Sequence, residues 1–212
     1  MDKNSYSFSN DRKVGYCTVS TGITFMFDVS DYELICQRTW YSSTQGRNGE
    51  YYIIDCRGKN LHRLLMNAPN GYEVDHIDLN PLNNRHSNLR ICTHRQNQCN
   101  QPPQCNNTSG VSGVSYYSPR KKYRARIKAF QTDIHLGYYM TFDEAVQARN
   151  IGMKMMFGEF GYLNETTPIP NWIEEKVYKC CSRFFNKAAV PFYLDDERIP
   201  YANLAPVEEI SA

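Results

Sequence analysis

The chain has 212 residues, 41% of them hydrophobic and 22% charged, which suits one large domain or a few small ones and excludes a disordered or fibrous protein. Its 24 Lys and Arg against 22 acidic residues leave a net charge of +2, which excludes a histone-like polycation. No apolar run reaches the ~18–20 residues of a membrane span, and the opening MDKNSYSFSNDRK holds no apolar signal core. Eight cysteines are too sparse for a disulfide scaffold, so a cytoplasmic protein with reduced thiols is expected.

The first segment reads as strands and turns. Tyr16–Val19 and Ile23–Phe27 flank Ser20-Thr21-Gly22 as a hairpin, and Tyr51–Asp55 is a further strand after the turn-rich Ser42–Gly49. Leu61–Met66 (LHRLLM) fits a short helix, with His62 structural and near whatever site follows. Tyr72–Ile77 has strand character and contains an Asp-His pair. Asp78–Ser87 is an Asn-rich loop, and Leu89–Cys92 is a second short strand. Thr93 with Gln96 three residues on forms a capping box that opens a helix from His94 to about Gln101.

The order strand, loop, strand, helix brings Asp75, His76, Asn88 and Asn97 together if the strands pair and the helix folds back. A carboxylate and an amide oxygen are hard ligands suited to Mg²⁺. The adjacent imidazole can take a proton from water near neutral pH. Together these are the minimum kit for hydrolysing a phosphodiester. The bland alternative is an Asp-His pair that caps a strand, with Asn residues that only build turns. His86 and His94 read as phosphate contacts or solvated surface rather than ligands.

The stretch VDHIDLNPLNNRHSNLRICTHRQNQCN, with LHRLLMNAPNGYE upstream, resembles the HNH motif of phage and mobile-intron homing endonucleases. The resemblance implies a ββα-metal unit with His76 as general base and Asn88 as the middle motif residue. It implies Asp75 and Asn97 as holders of a divalent metal, Mg²⁺ or Mn²⁺ rather than Zn²⁺. Some members carry two Cys-x-x-Cys pairs on zinc. This chain has no Cys-x-x-Cys, so a structural zinc is not expected.

Pro102-Pro103 and Gln104–Thr108 read as a linker. Beyond it, Tyr116–Phe130 (YYSPRKKYRARIKAF) holds six cations, Arg120, Lys121, Lys122, Arg124, Arg126 and Lys128, and no acid. Val114–Tyr117, Tyr123–Ala129 and Ile134–Tyr139 read as three strands. In the second of them, period-two alternation puts Tyr123, Ala125, Ile127 and Ala129 on one face and Arg124, Arg126 and Lys128 on the other. Thr141 with Glu144 caps a helix whose small residues Ala145, Ala148 and Gly152 suit close packing on the apolar face. The segment Asn107 to about Asn164 is similar to the APETALA-type domain of plant ethylene-response factors. That resemblance implies a three-stranded sheet contacting the major groove of duplex DNA through Arg and Trp, and with the acid-free basic stretch it makes the six cations the expected DNA-binding residues. Tyr123 departs from it, standing where that family usually has Trp. Asn171 with Glu174 caps a further helix to about Lys187, with Ile173, Val177, Cys180, Cys181 and Phe184 as its apolar stripe.

The expectation is an α+β protein. Residues 1–103 form an HNH nuclease domain with a β-rich N-terminal extension and a motif core at 72–101. Residues 104–165 form a DNA-binding sheet-and-helix domain, and 166–212 a helical extension. The expected function is metal-dependent hydrolysis of double-stranded DNA by a protein, monomeric by preference, of a bacterial or phage-infected cell. The competing readings are a sequence-specific DNA-binding protein or regulator on an inactive nuclease fold, and an RNA-cleaving enzyme.

Overall fold

The computed structural model describes residues 4–44, 49–103, 107, 109–129 and 132–188, the side chains of 185–188 excepted. It is an α+β structure with two hydrophobic cores. The first core gathers the N-terminal elements. β1 (Ser5–Phe8), β2 (Val14–Thr18) and β3 (Thr24–Asp28) form an antiparallel meander, with the Ser20–Gly22 turn where the sequence places it. The short helix α1 (Tyr32–Cys36) and the hairpin of β4 (Trp40–Thr44) with β5 (Tyr51–Asp55) follow. β1, α1 and β4 were not expected from the sequence. α2 is Leu61–Leu65.

The motif elements dock on this base. β6 (Glu73–His76) pairs antiparallel with β8 (Leu89–Cys92), placing Asp75 opposite Arg90 and His76 opposite Leu89. Between them the Asn-rich segment is not all loop, because β7 (Asn83–Asn84) pairs parallel with β3. Val74 and Leu89 join Phe25, Phe27, Trp40, Ile53 and Leu61 in one buried cluster. The β-rich extension therefore supplies the floor on which the motif stands. α3 (His94–Cys99) opens with the full Thr93–Gln96 capping box and ends two residues sooner than expected, at the cap residue Asn100.

The second core runs from Val111 to Cys181. β9 (Val114–Tyr117), β10 (Lys122–Ala129) and β11 (Thr132–Tyr139) form an antiparallel sheet with β10 central. α4 (Phe142–Phe157) covers one face through fully buried Ala145 and Ala148. A Cβ on Gly152 would meet Leu136 Cδ1 at 2.7 Å, so glycine is what lets the helix lie this close. α5 (Asn171–Ala188) buries Ile173, Val177 and Cys181 completely in the same cluster, against α4 and β11. The apolar packing thus continues across position 166. Most of the expected linker (104–106 and 108), Phe130 and the tail from 189 lie outside the described residues.

Candidate active site

Strand alternation decides the geometry of the Asp-His pair. Successive side chains on β6 point to opposite faces, so Val74 and His76 turn toward α2 while Glu73 and Asp75 turn toward α3.

On the α2 side, His76 is 6% exposed. Its ring centre lies 5.1 Å from that of His62 and 6.3 Å from that of Tyr52, both edge-on. Its Nε2 stands 3.4 Å from Asn84 Oδ1, and the Asn84 amide donates to the Pro81 carbonyl at 3.1 Å. Burial pushes the His76 imidazole below its ordinary value, against the opposing pull of Asn84, Asp78 and Asp75. His62 is pushed down to about 3 by burial, then by His76 and Arg63. Both rings are neutral at pH 7, the state a proton acceptor needs. Arg63 donates to the Tyr72 carbonyl at 2.6 Å and so fixes the approach to β6.

The loop after His76 is held by Asn88. Its Oδ1 accepts from the Asp78 N–H at 2.9 Å, and its amide donates to Asp78 Oδ1 and to the Asn83 carbonyl, each at 2.8 Å. Asn88 thus touches the loop and not the His76 ring. Asp28 reaches over from β3 to accept from Arg85 Nε and the His86 N–H, both at 2.8 Å. His86 itself pairs with Asp31 at 3.0 Å. Its ring is exposed at the surface.

On the α3 side, strand and helix are bridged by two rungs. The Asn97 amide donates to Glu73 Oε2 at 2.6 Å, and the Asn100 amide donates to both Asp75 oxygens at 3.1 Å. Asn100 also reaches the His76 carbonyl at 3.1 Å. Asp75 is 5% exposed and its Oδ2 takes Arg90 Nε at 2.8 Å and Nη2 at 2.6 Å. His94 is exposed and its Nδ1 lies 2.7 Å from Glu73 Oε1. Burial acts to raise the Glu73 carboxyl, but the Asn97 and His94 hydrogen bonds outweigh it and hold it below the usual range. Asn97 and Asp75 therefore share a face without bonding to one another. The sequence reading missed Asn84, Asn100, Arg90, Tyr52 and Glu73. The two-residue alternation of Glu73-Val74-Asp75-His76 was the signal available for Glu73.

The donor set on this face is hard. Among the described residues Asp75 Oδ1 accepts only the Asn100 amide, and no donor reaches the side-chain Oδ1 of Asn97. Two such oxygens, with Glu73 close by, fit a divalent ion that keeps most of its waters. Among the described residues no cluster of three or more His, Cys, Asp or Glu forms a metal cage. Seven described cysteines are free, including Cys92 and Cys99.

On the sheet, Arg124, Arg126 and Lys128 stand on the face away from α4, as the alternation predicts, with Arg126 and Lys128 exposed. Arg124 Nη2 lies 3.4 Å from Ser115 Oγ, its guanidinium lies 5.5 Å from the Tyr117 ring, and Arg120 lies 4.5 Å from the Tyr138 ring. Lys121 takes a left-handed backbone at the turn before β10. Lys122 shares the Arg124 side of the strand and pairs across to Tyr117. Tyr123 faces the other way, packed on Tyr116 and Phe142.

A model of the HNH endonuclease family matches residues 67–99, which span the loop before β6 through α3. A protein named as an HNH endonuclease from Acanthamoeba polyphaga mimivirus is 30% identical over 149 residues, covering 67% of this chain and 75% of its own length. The chain belongs to the HNH endonuclease family. Protein 3.8 of Escherichia phage T7 is 41% identical over 61 residues, which cover 29% of this HNH protein and half of the phage one. No solved structure matches the chain significantly. Endonuclease activity follows from the family, whose members generally use a divalent metal. No described helix is long and apolar enough to cross a membrane.

Proposed function

We propose that this HNH protein is a metal-dependent endonuclease of the phage or homing type that hydrolyses phosphodiesters in double-stranded DNA, leaving 5′-phosphate and 3′-hydroxyl ends. The observation that carries the reading is His76, a buried neutral imidazole beside Asp75 at the end of β6, ahead of a loop pinned by Asn88. His76 accepts the proton of the attacking water. Asn84 Oδ1 and the His62 and Tyr52 rings hold the imidazole in place. Asn88 keeps the Asp78–Asn83 turn closed so that the backbone beside His76 does not move. Asp75 and Asn97 are the residues that would hold Mg²⁺ or Mn²⁺. Bound there, the ion would supply charge stabilisation to the leaving 3′-oxygen.

The β9–β11 sheet serves as the DNA reader, with the APETALA-type resemblance supporting the assignment. Its open face carries Lys122, Arg124, Arg126 and Lys128, with Arg120 and Lys121 along the connecting turn. Arg126 and Lys128, the exposed cations of this face, are placed to donate to a phosphate or a guanine edge.

The test is supercoiled-plasmid cleavage with Mg²⁺, Mn²⁺ or EDTA, for wild type and His76→Ala, on plasmid carrying targets selected from random DNA. Metal-dependent nicking or linearisation that His76→Ala abolishes, with gel-shift binding in EDTA retained, is the expected result. Binding of the selected DNA without any cleavage would overturn it in favour of a DNA-binding protein on an inactive nuclease fold.

A further inference from the structure

Arg90 stands where the two halves of the molecule meet. It lies on β8 directly opposite Asp75, and its side chain is 11% exposed. Two of its nitrogens, Nε and Nη2, donate to Asp75 Oδ2. The third, Nη1, donates to the Glu159 carbonyl, and the guanidinium lies 4.4 Å from the centre of the Phe160 ring. Glu159 and Phe160 belong to the short 3-10 turn Gly158–Phe160 that ends α4. Just beyond it, the Tyr162 N–H donates to the Cys99 carbonyl at 3.1 Å, in the last turn of α3. One short segment of the second half thus clasps both β8 and α3, the elements flanking Asp75.

A carboxylate offers about four acceptor positions. Among the described residues Asp75 Oδ2 takes three donors, two from Arg90 and one from Asn100, whereas Oδ1 takes only the Asn100 amide. The planar guanidinium fork fixes the plane of the carboxylate and so decides which oxygen remains open. We propose that Arg90 is a positioning residue that holds Asp75 with Oδ1 open to the divalent ion, and that the docked Gly158–Phe160 turn holds Arg90 in that pose. Seating of the sheet-bearing half is then a condition of tight metal binding in the nuclease half. The inference rests on the reading of Asp75 as a metal ligand.

The test is Mn²⁺ binding by the full chain without DNA, followed by the electron paramagnetic resonance signal of free Mn²⁺. The variants are Phe160→Ala, which removes no group that itself bonds Asp75, and Arg90→Lys, which keeps the charge and loses the fork. Asp75→Asn is the site control. Removing the support of a ligating carboxylate typically weakens metal binding about 10–100-fold. Arg90→Lys is expected at about tenfold, and Phe160→Ala at about three- to tenfold. Gel-shift affinity in EDTA should not change in either, because the open sheet face is untouched. Unchanged or tighter Mn²⁺ binding in Arg90→Lys would overturn the positioning role, since the guanidinium would then only compete with the ion. Weakening in Arg90→Lys but not in Phe160→Ala would overturn the coupling between the halves. Wild-type binding that survives Asp75→Asn would instead overturn the ligand assignment beneath the proposal.

Discussion

Asn88 offers a substitution in which the near-isosteric change is worse than truncation. Asn88→Ala removes three hydrogen bonds of 2.8–2.9 Å around the Asp78–Asn83 turn. At a net ~1 kcal/mol each the loss is about 3 kcal/mol, or about 6–12 °C in melting temperature for a chain of this size. Asn88→Asp keeps the acceptor for the Asp78 N–H but turns two donors into a carboxylate oxygen facing Asp78 Oδ1 and the Asn83 carbonyl at 2.8 Å. Asp78 is exposed, so an effective dielectric of about 40 is appropriate, and the like-charge contact costs about 3 kcal/mol. With two lost bonds the total is about 5 kcal/mol at pH 8. The penalty depends on pH. The introduced carboxyl is raised in the folded state above the ~3.9 of an unfolded aspartate. The folded state therefore binds the proton more tightly, and the penalty shrinks as pH falls through the raised value. Melting curves followed by circular dichroism at pH 8 and pH 5 check this. Asn88→Asp as stable as wild type at pH 8, or no more stable relative to Asn88→Ala at pH 5, would refute the hydrogen-bond assignment around the turn.

Two further outcomes are expected. The folded His62 value of about 3 lies below the ~6.5 of an unfolded histidine, so the unfolded chain binds the proton preferentially between those limits. Its stabilising contribution is full above about pH 6.5 and is lost as pH falls toward 3, so His62→Phe should flatten the fall in melting temperature between pH 7 and 4. A wild-type slope in that variant would place the acid sensitivity elsewhere. On the sheet, Arg126→Ala should weaken duplex binding and lower the slope of log affinity against log salt by about 1, the share of one released counterion. An unchanged slope in a titration from 50 to 200 mM salt would remove Arg126 from the phosphate contacts.

Local chemistry made much of this architecture legible. Two complete capping boxes, Thr93–Gln96 and Thr141–Glu144, mark helix starts that the structure reproduces. The alternation in β10 separates Ala125, Ile127 and Ala129 from Arg124, Arg126 and Lys128, because a half-buried strand must divide its residues in this way. The elements missed are those whose cause is non-local. β1 gains its place by pairing with β2, and β4 by pairing with β5 and burying Trp40, whose indole N–H donates to the Ile35 carbonyl at 2.9 Å. β7 is two asparagines that no propensity marks as strand, made so by the edge of β3. At the site, Asn88 is visible as a turn-builder. Asn84, Asn100 and Arg90 are not, because the site contacts they make, to His76, Asp75 and Glu159, lie 8, 25 and 69 residues away.

The opposed faces of β6 suggest why base and ligand can be sequence neighbours without spoiling one another. A carboxylate hydrogen-bonded to an imidazole raises its basicity and favours protonation before water arrives. Here His76 turns into a pocket of neutral groups, His62, Tyr52 and Asn84, whose burial holds it unprotonated. Asp75 turns into a polar pocket of Arg90 and Asn100, which satisfies a buried carboxylate without recruiting the imidazole. One residue of strand rise, about 3.3 Å, keeps the two close enough to serve one phosphate in the proposed reaction. The pleat keeps the ring from hydrogen-bonding to the carboxylate, so that burial outweighs the residual pull of Asp75 on the imidazole. A one-residue shift of β6 against β8 would exchange the faces, exposing His76 to Arg90 and burying Asp75 against the Phe25–Leu61 core. The apolar pair Val74 and Leu89, fixed in that core, is what opposes such a slip.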